Sequence, residues 1–168
     1  VKALDNDKHV YVEKPICLSM NELNNIKTKL NEKPYLRLSS NMVLRTCPLF
    51  KKVKDEFKLN KMGTLYYLEA DYLWGRKEKL ISGWRADLEQ YSIICGASVH
   101  MIDLIMWITK KRPLKVQALG NSILNPNQKK KKNDFAVLLL EFEDQMVVKI
   151  SAHGGCVHPH FHSLKLFG

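Results

Sequence analysis

Residues 64–74 alternate regularly enough to dictate their own geometry. Tyr66, Leu68, Ala70, Tyr72 and Trp74 fall on one side, and Glu69 and Asp71 on the other. This is the two-residue period of a strand buried on one face. Such strands belong to antiparallel sheets with one packed face and one wet one. The start of the chain reads differently. His9-Val10-Tyr11-Val12 is apolar rather than alternating, as expected of a parallel strand covered by helices on both faces, with Asp5-Asn6-Asp7 as the turn before it.

Two patterns in one chain imply two kinds of architecture. Ser19-Met20-Asn21-Glu22 is a capping box, followed by Leu23, Ile26 and Leu30 at helical spacing, so a helix is predicted over residues 19–32. A short strand over residues 35–40 completes one βα unit and begins another, the end of a doubly wound sheet. A second helix opens at Pro48, with Leu49, Phe50, Val53 and Phe57 on one side and Gly63 beyond its end. Residues 77–90 are polar and irregular. Residues 98–108 are apolar nearly all round and predict a buried helix. Strands are predicted over residues 114–119, 135–142, 146–151 and 163–167, the middle two joined by a hairpin at Glu143-Asp144-Gln145. The expected fold class is α+β: residues 1–45 as an α/β remnant, and residues 46–168 as a unit on a mostly antiparallel sheet. No Gly-x-Gly-x-x-Gly turn occurs, so the phosphate-binding first turn of a dinucleotide fold is missing from these residues.

The 168 residues suffice for one domain with part of another. Val1-Lys2-Ala3-Leu4 reads as the last turn of a helix already under way, so the chain is expected to be cut from something longer. Lysine and arginine number 27 against 17 acidic residues, a net charge of +10, which suits an anionic ligand. Nucleic acid is disfavoured because the lysines are scattered along helices. The one dense run, Lys129 to Lys132, reads as a solvated loop tip. Cys17, Cys47, Cys95 and Cys156 are far apart and form no Cys-x-x-Cys pair, which indicates reduced thiols and a cytoplasmic protein. No membrane span and no signal peptide are read.

Several residues have the means for chemistry. Lys14 of Glu13-Lys14-Pro15 follows the first strand, and ligands of open α/β sheets bind beyond the carboxyl ends of strands. His100, Asp103 and Trp107 share one stripe of the buried helix. His100 is either a core histidine satisfied by Asp103 or a general base that reaches a cleft. Trp84, Arg85 and Tyr91, in and beside the irregular segment, are candidate substrate contacts. Arg45 is either an interdomain salt bridge or a holder of a cofactor or substrate phosphate through paired hydrogen bonds. His158, His160 and His162 alternate and so could ligate zinc from one face of a strand. Pro159 disfavours a regular strand there, so the cluster is read as a polar cleft wall and no metal site is assigned.

Lys8-His9-Val10-Tyr11-Val12-Glu13-Lys14-Pro15, Arg45 three residues before Pro48, Glu69-Ala70-Asp71, and Gly96-Ala97-Ser98-Val99-His100-Met101-Ile102-Asp103 together resemble the NAD(P)-dependent oxidoreductases named after glucose-fructose oxidoreductase, inositol dehydrogenase and the rhizopine-catabolism protein. The resemblance spans essentially the whole chain. It implies the C-terminal part of a Rossmann domain over residues 1–45, then the substrate and oligomerisation domain, incomplete at its C-terminus, over residues 46–168. It also implies that Lys14 approaches nicotinamide and substrate, and that His100 is the family's histidine of an Asp-x-x-x-His pattern. Gly96 stands where that pattern has aspartate, so the identity of the base is left open.

From the resemblance the parent protein is expected to be an NAD- or NADP-dependent dehydrogenase. It would move hydride between the nicotinamide and a secondary alcohol of a sugar, cyclitol or nucleotide sugar. Lys14 and His100 would carry the chemistry; Glu13, Lys14, Pro15 and Arg45 would contact the cofactor. Lys14, Trp84, Arg85, Tyr91, His100 and Asp103 would contact the substrate. A homo-oligomer through the second sheet is expected, with no nucleic-acid or membrane partner, and the fragment alone is expected to be inactive. Two rivals stand beside this: a non-catalytic ligand-binding or regulatory relative, and a metal-dependent sugar-binding or lyase protein using His158, His160 and His162.

Overall fold

The computed structural model describes residues 1–126, 132–157 and 159–168. It divides into two compact units, Val1–Met42 and Val43–Gly168.

In the first unit, α1 (Lys2–Asp5) leads to β1 (Val10–Val12), then α2 (Met20–Glu32) and β2 (Leu38–Ser40). The two strands are parallel, with Val12 opposite Ser40. The predicted α2 cap is present in full. The Ser19 hydroxyl accepts from the Glu22 amide at 3.2 Å, and the Glu22 carboxylate accepts from the Ser19 amide at 3.2 Å. A cap of this kind contributes about 1 kcal/mol. The expectation that the first strand is covered on both faces fails among these residues. Tyr11 is 71% exposed, and its hydroxyl donates to Asn41 at 2.8 Å.

The second unit opens with a 3-10 turn (Val43–Thr46) and α3 (Pro48–Lys58). Proline at the first helical position sacrifices no helix hydrogen bond. Phe50 is buried, but Leu49, expected on the same side, is exposed. Gly63, at φ +66°, supplies the left-handed turn before β3 (Tyr67–Leu73). Leu68, Ala70, Tyr72 and Trp74 are buried as the alternation requires. Tyr66 lies just before the first paired residue and is exposed instead, a correction to its expected place in the core.

The irregular segment contains two single turns, α4 (Glu78–Ile81) and α5 (Trp84–Asp87). A π turn (Ile94–Ser98) runs directly into α6 (Val99–Thr109). Met101, Leu104, Ile105 and Ile108 of α6 are 0–1% exposed, and burying side chains of this size stabilises by about 2 kcal/mol each.

The remaining strands are β4 (Pro113–Asn121), β5 (Phe135–Phe142), β6 (Val147–His153) and β7 (Phe161–Phe167). They form one sheet with β3, in the order β4-β5-β6-β3-β7. Only the β3–β6 pair is parallel; the other three pairs are antiparallel. The fold class is thus α+β, and the hairpin turns through Gln145 at φ +63°. The core lies on one face, where Ala136, Leu138, Leu140, Val148, Ile150 and Ala152 are at most 5% exposed beneath α6 and the π turn. On the other face Glu69 is bonded by Lys149 at 3.1 Å, Lys165 at 3.0 Å and the Tyr67 hydroxyl at 2.9 Å. No helix among the described residues is long and apolar enough to cross a membrane.

Candidate functional site

In the first unit, Glu13, Lys14 and Pro15 follow the carboxyl end of β1, and the Lys14–Pro15 peptide is cis. Asn41, just past β2, braces this strand end. Its amide nitrogen donates to the Val12 carbonyl at 3.0 Å, and its side chain donates to the Glu13 carboxylate at 2.6 Å. Lys14 is half-buried. The parallel pair and its brace therefore present a cation at a strand end, the place where an open α/β sheet binds ligands.

In the second unit, the π turn and α6 place His100 against the end of β3. His100 is 5% exposed, and its ring stacks on Tyr72 with centroids 5.6 Å apart and planes 10° from parallel. Tyr72 is paired with His162 across the β3–β7 ladder. His162 meets the phenol ring edge-on at 4.5 Å, and His160 lies 5.2 Å from it. Three imidazoles thus surround one buried phenol. Burial, followed by the neighbouring His160, pushes the His162 imidazole down to about 4, so it is neutral above that pH. Burial also raises the Tyr72 phenol. The neutral His162 ring and the Tyr72 phenol stand in the same cluster as His100, a setting for proton transfer.

Asp103, the candidate partner of His100 at i, i+3 spacing, is engaged by Arg45. Both of its oxygens receive Arg45, from Nε at 2.8 Å and from Nη2. The ion pair lies within the second unit, and Arg45 is raised by its bonds to Asp103. Trp107, one turn further on, carries Lys54 over its ring at 3.6 Å.

Trp84, Arg85 and Tyr91 do come together. The Arg85 guanidinium sits 4.3 Å from the Trp84 ring centroid, and its Nε donates to the Tyr91 hydroxyl at 3.2 Å. Trp84 and Tyr91 meet edge-to-face at 5.8 Å. Tyr91 is 2% exposed and Trp84 57%. A side chain at Gly96 would begin 3.0 Å from the Tyr91 hydroxyl oxygen, so the phenol covers the π turn that leads to His100.

Lys132, the one described residue of the lysine run, departs from the solvated loop tip expected there. It is 4% exposed and donates to the main-chain carbonyls of Arg85 and Ala86, the latter at 2.8 Å. Lys129 and its neighbours to residue 131 lie outside the described residues, as does His158. Among the described residues no group of three or more His, Cys, Asp or Glu is arranged to hold a metal ion. A cavity of about 350 Å³ opens on the sheet's other face, among Leu124, Phe135, His153 and Cys156, away from the His100 side.

Sequence reasoning did not assign Tyr72, Lys132 or Lys54 to the site. The signal for Tyr72 was its place opposite a histidine-rich strand, visible only once β7 is paired with β3.

The model of the GFO/IDH/MocA C-terminal domain matches residues 50–168. No curated protein matches the chain. Among solved structures it is similar to scyllo-inositol dehydrogenase from Lactobacillus casei with bound NAD(H) and scyllo-inositol, at 20% identity over 99% of this chain and 49% of that one, with a TM-score of 0.82. It is similar to myo-inositol 2-dehydrogenase from Lactobacillus plantarum, at 19% identity over 99% and 50%, TM-score 0.84. It is also similar to UDP-N-acetylglucosamine 3-dehydrogenase from Acidithiobacillus ferrooxidans, at 20% identity over 99% and 49%, TM-score 0.75. The chain spans about half the length of these structures.

Proposed function

The chain belongs to the GFO/IDH/MocA family, and from that premise we propose that its parent protein is an NAD- or NADP-dependent dehydrogenase of a sugar, cyclitol or nucleotide sugar. The observation that carries the proposal is His100, buried at the start of α6 and stacked on Tyr72, whose ring also meets His160 and His162. The solved structures of similar fold include dehydrogenases of inositols and of a sugar nucleotide.

Glu13, Lys14, Pro15 and Arg45 are the proposed cofactor contacts. Lys14 fits the role because the braced strand end presents its cation. Arg45 fits through Nη1, which Asp103 does not engage. A bound nicotinamide supplies the hydride acceptor. For the chain's own residues, Lys14 holds the alcohol oxygen and stabilises the negative charge that develops on it, while His100 accepts the hydroxyl proton. Trp84, Arg85, Tyr91 and Asp103 are proposed substrate-side residues, Asp103 through Arg45. A cytoplasmic homo-oligomer joined through the second sheet is part of the same proposal.

A second reading, a ligand-binding relative without chemistry, is favoured by Gly96, which leaves the turn before His100 without a carboxylate. Lys14→Met and His100→Ala in the full-length protein, followed by nicotinamide absorbance over a panel of cyclitols and sugars, separate the two. Loss of at least a hundredfold in turnover supports hydride transfer. Undiminished turnover sinks these assignments, and binding without turnover in the wild type favours the second reading.

A further inference from the structure

We infer that Arg85 forms a subsite for an oxyanion, a carboxylate or a phosphate, carried by the substrate. This rests on the reading of the second unit as the substrate-binding part of the protein.

Arg85 is half-buried, yet among the described residues it spends only Nε on a protein acceptor, the Tyr91 hydroxyl. Among the described residues no carboxylate lies within ion-pair distance of it. Arg45 shows what a satisfied fork looks like in this unit, with both oxygens of Asp103 on it. The Arg85 fork has the same donors and, among the described residues, no such partner. A partly desolvated guanidinium without an anion keeps an uncompensated cost that a ligand oxyanion removes.

The surroundings keep that position open to a ligand rather than to a protein acid. Tyr91 fills the space above Gly96 and leaves no room there for a carboxylate side chain without moving the phenol. The guanidinium carbon lies 4.3 Å over the Trp84 ring, a contact that steadies the fork for paired hydrogen bonds to an oxyanion. The same indole is 57% exposed, so it offers a flat apolar surface on which a sugar ring can rest. The buried Lys132 pins the carbonyls of Arg85 and Ala86 and brings a second positive charge to the segment. Asp87 and Glu89, the acids nearest in sequence, are exposed and make no ion pair with Arg85 among the described residues. A neutral cyclitol leaves the fork unused; an acidic sugar or a sugar phosphate fills it.

The test is calorimetric titration of the full-length protein with matched pairs: glucose and glucuronate, galactose and galacturonate, glucose and glucose 6-phosphate. At least one anionic member is expected to bind about tenfold or more tightly than its neutral partner. The uronate and phosphate arms identify which oxyanion is read. Arg85→Met removes the advantage, and Arg85→Lys, which keeps charge without the fork, retains part of it. Arg85→Gln replaces the Met variant if that protein does not fold. Equal binding of neutral and anionic partners, or an advantage that survives Arg85→Met and Arg85→Gln, overturns the subsite. Turnover is read separately. Arg85-dependent anion binding without nicotinamide reduction sinks the dehydrogenase reading and leaves the subsite standing, whereas turnover of neutral sugars with no anion preference does the reverse.

Discussion

The phenol of Tyr91 stands over Gly96, with its hydroxyl oxygen 3.0 Å from the position a Cβ there would take. That oxygen is held by Arg85 at 3.2 Å, so it cannot swing away freely. Glycine in a helical turn normally gives about 0.5–1 kcal/mol when replaced by alanine. Here the crowding opposes that gain. Gly96→Ala is expected to be neutral or destabilising with Tyr91 present, and stabilising once Tyr91→Phe has removed the oxygen. Urea unfolding of the four proteins measures the difference; the same effect of alanine in both backgrounds would show that the phenol does not occupy the turn.

Arg45 and Asp103 are joined through two nitrogen–oxygen contacts, with the arginine side chain 46% and the aspartate 15% exposed. A paired fork of this exposure is expected to couple the two residues by about 1 kcal/mol. Arg45→Ala and Asp103→Ala should each destabilise, and the double variant should cost about as much as the worse single one. Additive costs in the cycle would dissolve the pair. If Arg45 also contacts the cofactor, Arg45→Ala raises the KM for nicotinamide cofactor more than Asp103→Ala does.

Lys132 holds the carbonyls of Arg85 and Ala86 from a site 4% exposed. Lys132→Met fills similar volume but leaves both carbonyls without the ammonium, at a cost of about 1–3 kcal/mol. The damage should be local. Limited proteolysis is expected to cut faster within residues 77–91 while the strands keep their amide-exchange protection. Unchanged cleavage there would mean that another group supports the segment.

The elements whose signals are local were legible in the sequence. The Ser19 capping box, the Pro48 helix start and the β3 alternation each depend on residues within one or two turns, and all three stand in the structure. What failed depended on distant chain. Tyr66 obeys the alternation and its main chain bonds Phe167 and Val147, yet it lies at the sheet's end, before the first register pair, and is exposed. Asp103 has its nearest charged partner 58 residues away, where no helical spacing rule reaches. Tyr72 acquires His160 and His162 as neighbours through the β3–β7 pairing, and His100 through the packing of α6. Lys132 looked solvated because charge runs usually are, whereas two main-chain carbonyls made its burial tolerable. Trp84, Arg85 and Tyr91 were close enough in sequence to be read as a group, but the ring and hydrogen-bond contacts that join them are a property of packing alone.

Two groups should write their titrations into stability at separate pH windows. Burial lowers the His162 imidazole from 6.5 to about 4. Between those values the unfolded chain binds the proton more readily, so stability is full above pH 6.5 and falls as pH falls toward 4. Glu69 is lowered from 4.5 to about 2, first by Lys165, then by the Tyr67 hydroxyl and by Lys149. Its contribution is present above pH 4.5 and disappears as pH falls through about 2. His162→Gln should therefore flatten the loss between pH 6.5 and 4 and leave the lower limb intact, while Glu69→Gln does the opposite. Unfolding free energies from urea titrations at half-unit steps resolve the two limbs. If either substitution flattened both limbs, or neither, the assignment of these groups to their windows would be wrong.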